Sequence, residues 1–213
     1  MVLKLHGAQE ATCTKRVLTV LEELSVPYEL VAVDYAHHEH KSPAFRAVQP
    51  FGQFPYLADD DGFTLYESRA IARYLALKYG GIGTLIPDPT DLQKTALFEQ
   101  AASVEQSNFD VFAVPLAYEN IRKPRIGQQT DKAAVERLTA TLEAKLAVYD
   151  IILGRSKYLA GDELTLADLF HLPYGSALAK QKIDFLESPK YPNVARWWKD
   201  ISGRASWKKA NGA

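Results

Sequence analysis

The stretch from Leu3 to Val33, LKLHGAQEATCTKRVLTVLEELSVPYELVAV, decides the architecture. Leu3 to Leu5 is a short apolar run closed by Gly7, the pattern of a buried strand. From Thr12 to Ser25, Val17, Val20, Leu21 and Leu24 recur at helical spacing, and Pro27 stops that helix. Tyr28 to Val33 carries the β-branched and aromatic character of a second strand. Strands joined by a helix of this length are normally parallel, so the segment predicts a βαβ unit.

Working outward, Ser42-Pro43 opens a short helix, with Ser as cap and Pro in the first turn, that ends near Gln49-Pro50. Pro55 to Ala58 and Phe63 to Tyr66 flank Asp59-Asp60-Asp61-Gly62, which predicts a hairpin with Gly at the turn. Ser68 then predicts the cap of a helix bearing Ala70, Ile71, Tyr74, Leu75 and Leu77 on its apolar side. Gly80, Gly81, Gly83, Pro87 and Pro89 cluster as a linker. Beyond it the period turns helical over Asp91–Asn108, Lys132–Leu153, Ala167–Leu178 and Val194–Ile201. The expected organisation is an α/β domain over 1–81, a linker over 82–90 and an all-helical domain over 91–213.

Composition narrows the function. The 213 residues include 25 Lys plus Arg against 26 Asp plus Glu, so the basic excess of a general nucleic-acid binder is missing. A single cysteine, Cys13, rules out an internal disulfide framework and a Cys-x-x-Cys site. There is no run of about 18 apolar residues to span a membrane, and the start has no secretory h-region. A reducing, cytosolic setting is expected.

Three segments of the first 80 residues carry possible chemistry. In Phe51-Gly52-Gln53-Phe54-Pro55, a proline entering a strand cannot donate to the ladder. A cis bond before Pro55 would leave the backbone of Phe54 for a ligand, whereas an ordinary bend would leave nothing special. In Glu67-Ser68-Arg69, a helix start offers open N–H groups to a carboxylate beside the Ser68 hydroxyl, while Glu67 can take an ammonium; the plain alternative is a Ser cap. In His40-Lys41-Ser42-Pro43, Lys41 can take a second carboxylate or remain a solvated charge. Together the three describe one extended ligand with a carboxylate at each end and a peptide-like middle. His37, His38 and His40 lie close in sequence, but no Cys or second cluster completes a metal site, and no metal is expected.

With these residues the chain resembles the glutathione transferases, most of all the phi class and its fungal relatives. The matching motifs are Glu39-His40-Lys41-Ser42-Pro43, Pro50 to Pro55 and Leu65 to Ile71. They continue in the helical half through Lys157 to Asp162 and Leu164 to Asp168. The resemblance implies a thioredoxin-like N-terminal domain followed by an all-helical C-terminal domain. It implies glutathione as cosubstrate, with no metal. Lys41 and Gln53 would hold the glycine carboxylate, with His40 nearby. The backbone of Phe54, set by Pro55, would pair with the cysteinyl segment, and Glu67 and Ser68 would take the γ-glutamyl end. The candidates for contact with an apolar electrophile are Phe112 and Tyr118, on a helix that also carries Phe109 and Leu116, Tyr174 further on, and Tyr35 and Glu10 at the border. Phe51 would insert into a partner subunit of a homodimer, or pack within its own chain. Thr165 to Asp168 has capping-box spacing and reads as structural.

The resemblance also exposes a departure. Glutathione must be held as thiolate, although a free thiol titrates near 8.5. The family's serine in the loop after the first strand falls here on Ala11, which has no donor. Thr12 is the nearest hydroxyl; it either donates to the thiolate or caps the helix. The backbone N–H groups of Thr12 and Cys13 are further donors. Cys13 is an alternative nucleophile for a thiol-transferase reaction or a buried small hydrophobe. Three readings follow: a conjugating enzyme, also able to reduce peroxides; a weakly catalytic ligand-binding protein; and a Cys13-dependent reductase.

Overall fold

The computed structural model describes residues 2–212. The chain separates into two compact units, one running to Ile82 and taking in the chain from Ala205 onward, the other spanning Gly83–Arg204. Residues 205–212 therefore cluster with the α/β unit, whereas the sequence places all of 91–213 in the helical one.

The first unit is built as β1 (Leu3–Gly7), α1 (Thr12–Glu23), β2 (Tyr28–Ala32), α2 (Pro43–Val48), β3 (Tyr56–Ala58), β4 (Thr64–Tyr66) and α3 (Ser68–Lys78). Its four strands run in the order β2-β1-β3-β4. β1 pairs parallel with β2, Leu5 opposite Leu30, and antiparallel with β3, Leu5 opposite Leu57. The expected βαβ unit and hairpin are both present. Leu5, Val17, Leu18, Val20, Leu21, Leu57, Ile71 and Leu75 are fully buried between sheet and helices. Gly7 admits the close approach of α1, because a Cβ there would sit 2.6 Å from Thr14 Oγ1 and 3.4 Å from Pro55 Cβ. Gly62 turns the hairpin at φ +89°.

A helix that the periodicity does not reveal, α11 (Ala205–Asn211), returns to this unit and packs on α1. Gln9 donates to the Ala210 carbonyl at 3.0 Å, Lys15 reaches Asn211 Oδ1 at 2.7 Å and Lys209 pairs with Glu22 at 2.7 Å. Trp207 is buried. With only Trp207 and two alanines as apolar residues, the segment is too short to show a period.

The second unit comprises α4 (Leu92–Glu105), α5 (Val111–Ala117), α6 (Lys123–Arg125), α7 (Lys132–Leu153), α8 (Leu166–Leu169), α9 (Leu172–Lys180) and α10 (Pro192–Ser202). The expected α7 has the observed bounds, but two other expectations are corrected. The segment 91–108 passes from α4 into a π-helical turn at Gln106–Asp110, and a second π turn, Tyr118–Arg122, follows α5. The segment 167–178 is two helices, because α8 ends after one turn. At its start the fully buried Asp168 carboxylate accepts from Leu159 N–H (3.0 Å), Thr165 N–H (2.9 Å), Thr165 Oγ1 (3.1 Å) and Trp197 Nε1 (2.9 Å). Burial pushes that carboxyl up, and the four donors oppose the shift. The capping-box residues thus anchor α8 to α10. Below them His171 donates from Nδ1 to the Ala167 carbonyl, so Nε2 accepts from the buried Tyr149 hydroxyl. No helix among the described residues is long and apolar enough to cross a membrane.

Candidate glutathione site

The site begins where β1 delivers the chain to α1. Ala11 occupies the N-cap position in extended geometry with no side-chain cap. Thr12 is therefore the first helical residue, and of the two roles open to it the cap is ruled out. The first intrahelical bond runs from Lys15 N–H to the Ala11 carbonyl at 2.9 Å. The N–H groups of Thr12, Cys13 and Thr14 are thus left over by the helix geometry, at the positive end of the α1 dipole. Cys13 is half-buried, and its sulfur lies 3.6 Å from Nη1 of Arg16. It is not enclosed in helix packing as a purely structural reading expects. Glu10 is exposed just before the helix.

α3 opens in a similar way. Glu67 takes the cap position with φ +72° and ψ +108°, a left-handed backbone that turns β4 sharply into the helix. This corrects the expectation that Ser68 is the cap: Ser68 is the first helical residue, buried, and its Oγ accepts from Arg16 Nη1 at 2.9 Å. Glu67 remains exposed.

A second cluster forms around the Phe54–Pro55 peptide, which is cis, the alternative that the resemblance implies. β3 starts only at Tyr56, so Phe54 stands outside the sheet ladder. The Phe54 ring meets His40 edge-on at 5.5 Å and Tyr35 at 5.9 Å. Lys41 Nζ donates to the Gly52 carbonyl at 2.6 Å, and a longer contact of 3.4 Å reaches the Phe51 carbonyl. Gly52 sits at φ +58°, and a Cβ on it would stand 2.7 Å from the His40 carbonyl. The buried Gln49 accepts from the Gln53 backbone N–H at 3.0 Å, which leaves the exposed Gln53 side chain uninvolved in that bond. His40 Nδ1 is buried without a partner, and burial followed by the charge of Lys41 pushes its pKa down. Through Gly7, the Pro55 ring and the Thr14 side chain are near neighbours, so the two clusters adjoin.

The other expected residues divide. Phe51 is 64% exposed, and its ring meets Tyr66 edge-on at 6.1 Å. In the helical unit, Phe112 and Tyr174 are half-buried and Tyr118 is 46% exposed, with Lys123 Nζ 5.9 Å from its ring. Phe109 and Leu116 are fully buried; Phe109 packs on His171 at 4.8 Å, so both belong to the core. Among the histidines, His37 is turned away to Asp34 at 2.6 Å. The sequence does not mark Arg16, which donates to Ser68, or Gln49, which accepts from the Gln53 backbone, because neither lies in a motif of its own.

Comparison with known proteins agrees with this geometry. Residues 1–77 match the glutathione S-transferase N-terminal domain and residues 109–205 the C-terminal domain. Glutathione S-transferase PM239X14 of Arabidopsis thaliana is 47% identical over 93% of this chain and 90% of its own. The crystal structure of glutathione transferase F7 from Populus trichocarpa superposes with a TM-score of 0.92 at 40% identity, covering 99% of this chain and 98% of that one. Glutathione S-transferase I from maize, solved in complex with an atrazine glutathione conjugate, gives 0.91 at 34% identity over 100% and 97%. With both domains matched, the fold shared end to end and the cis-Pro and helix-start clusters in place, the chain belongs to the glutathione S-transferase family.

Proposed function

We propose that this chain is a phi-type glutathione transferase that works without the family's side-chain hydroxyl at the first helix cap. The open N–H groups at the start of α1 carry this reading, since they present donors and a partial positive charge beside the cis-Pro segment. In this assignment Lys41 and Gln53 take the glycine carboxylate, with His40 alongside. The Phe54 backbone pairs with the cysteinyl unit, and Glu67 and Ser68 take the ammonium and carboxylate of the γ-glutamyl end. The sulfur then lies at the α1 start, where Thr12 Oγ1 and the N–H groups of Thr12 and Cys13 stabilise the thiolate. That thiolate attacks an electrophilic carbon, forming the C–S bond and expelling the leaving group. The candidates for contact with an apolar electrophile are Glu10 and Tyr35 on the first unit and Phe112, Tyr118 and Tyr174 on the second. The exposed Phe51 ring supports a homodimer, and the single cysteine suits a reducing cytosol.

Thr12→Val tests the thiolate assignment. Turnover with an activated aryl chloride falls by about tenfold or more, while glutathione affinity by calorimetry stays close to wild type. An unchanged turnover assigns the sulfur to backbone donors alone. Calorimetry that detects no binding of reduced glutathione overturns the whole reading.

Ala11 favours a second reading, a ligand-binding protein with slow catalysis. Conjugation and peroxide-reduction assays run beside a titration with apolar ligands separate it from the first. The Cys13 reductase reading requires the Cys13 thiolate to attack oxidised glutathione, forming a mixed disulfide and releasing reduced glutathione. Mass spectrometry that finds no adduct on Cys13 eliminates it.

A further inference from the structure

Arg16 is 1% exposed, and a guanidinium in that position needs fixed partners. It projects from α1, and one nitrogen, Nη1, donates to Ser68 Oγ at 2.9 Å and lies 3.6 Å from Cys13 Sγ. Cys13 and Arg16 share α1, whereas Ser68 opens α3, 52 positions from Arg16. A guanidinium is donor-only, whereas a hydroxyl has one proton and two lone pairs. The Arg16 bond therefore occupies a lone pair of Ser68 and directs the Ser68 proton to another acceptor. Among the described residues Ser68 makes no other side-chain hydrogen bond. Its O–H is available at the start of α3, alongside the open N–H groups of that helix. An adjoining cation also polarises the hydroxyl and strengthens it as a donor.

We propose that Arg16 is a positioning residue for glutathione recognition, which sets the Ser68 hydroxyl as a donor to the γ-glutamyl carboxylate and places a buried positive charge behind it. This rests on the reading of Ser68 as part of the γ-glutamyl subsite. Lysine cannot reproduce the arrangement fully, since its ammonium is a point donor without the planar fork.

A double-mutant cycle tests the pair, using Arg16→Met, Ser68→Ala and the combination. Binding of reduced glutathione is read by calorimetry, and KM and kcat with an activated aryl chloride. Each single change weakens glutathione binding by about tenfold, equivalent to about 1.4 kcal/mol. The double variant is within about twofold of Ser68→Ala, and kcat at saturating glutathione changes by less than about threefold, because the loss lies in ground-state binding. Competitive inhibition by the dipeptide Cys-Gly, which lacks the γ-glutamyl unit, is unaffected by Arg16→Met. Arg16→Lys recovers part of the affinity, and it carries the same cycle if the methionine variant does not fold. An Arg16 loss as large in the Ser68→Ala background as in the wild type overturns the proposal, as does equal weakening of Cys-Gly. Ser68→Ala without effect on glutathione overturns the subsite reading itself, and the Arg16 proposal with it.

Discussion

Ala11 and Thr12 differ by one position, yet the structure gives them different chemistry. Ala11 has φ −76° and ψ +134°, the extended geometry in which a serine side chain both accepts from the first helical turn and keeps its proton for a ligand. Ala11→Ser therefore combines two gains. Turnover rises by about 10- to 100-fold, the reverse of removing a preorganised donor. Thermal or urea unfolding shows an increase of about 1 kcal/mol in stability from the restored cap. Parallel conjugation kinetics and denaturant titration check both. A rise in stability without a rise in turnover would assign the thiolate to the existing donors. The departure at Ala11 is legible in sequence because motif spacing identifies the position. The cap geometry is not, since Thr12 and Ser68 both look like caps until the backbone shows them as first helical residues.

At the level of elements, the hairpin between β3 and β4 is tied to α3 by one carboxylate. The buried Asp59 accepts from Lys78 Nζ at 2.7 Å, from the Tyr74 hydroxyl and from the Asp60 N–H at 2.8 Å. Burial alone would push the carboxyl up, but these donors outweigh it and bring it down to about 2. Unfolded, the same group titrates near 3.9. A lowered folded value means that the stabilisation is complete above about pH 4 and is lost as pH falls toward 2. Asp59→Asn removes it, so the gap in urea midpoint between wild type and variant is wide at pH 5 and closes by about pH 2. A gap that stays constant over that range would assign the loss to packing. The turn at Asp59 to Gly62 is plain in the sequence, whereas its attachment to Tyr74 and Lys78 is not. A loop of acidic residues is ordinarily solvated, and only the position of α3 buries the first of them.

Across the whole molecule, the chain end belongs to the unit where the chain begins. Trp207 is 4% exposed on α11, which lies along α1. Trp207→Ala costs about 3–5 kcal/mol, the usual penalty for emptying a buried aromatic site. Because α11 packs on α1, hydrogen exchange of the α1 amides quickens in the same variant. Unchanged protection of α1 would show that α11 is dispensable to it.

The element order of the first 80 residues, the proline at the entry to β3 and the positions of the helix-start motifs are determined by the sequence itself. They depend on local rules: a period of two or 3.6 residues, a missing N–H at proline and the spacing of short motifs. The tertiary structure alone decides that Arg16 meets Ser68, that Gln49 holds Gln53 and that α11, with its buried Trp207, packs on α1. Each of the last and first pairs joins residues far apart along the chain, and Gln49 acts only in a loop bent back on itself. Such contacts depend on the path of the folded backbone, which no local period encodes.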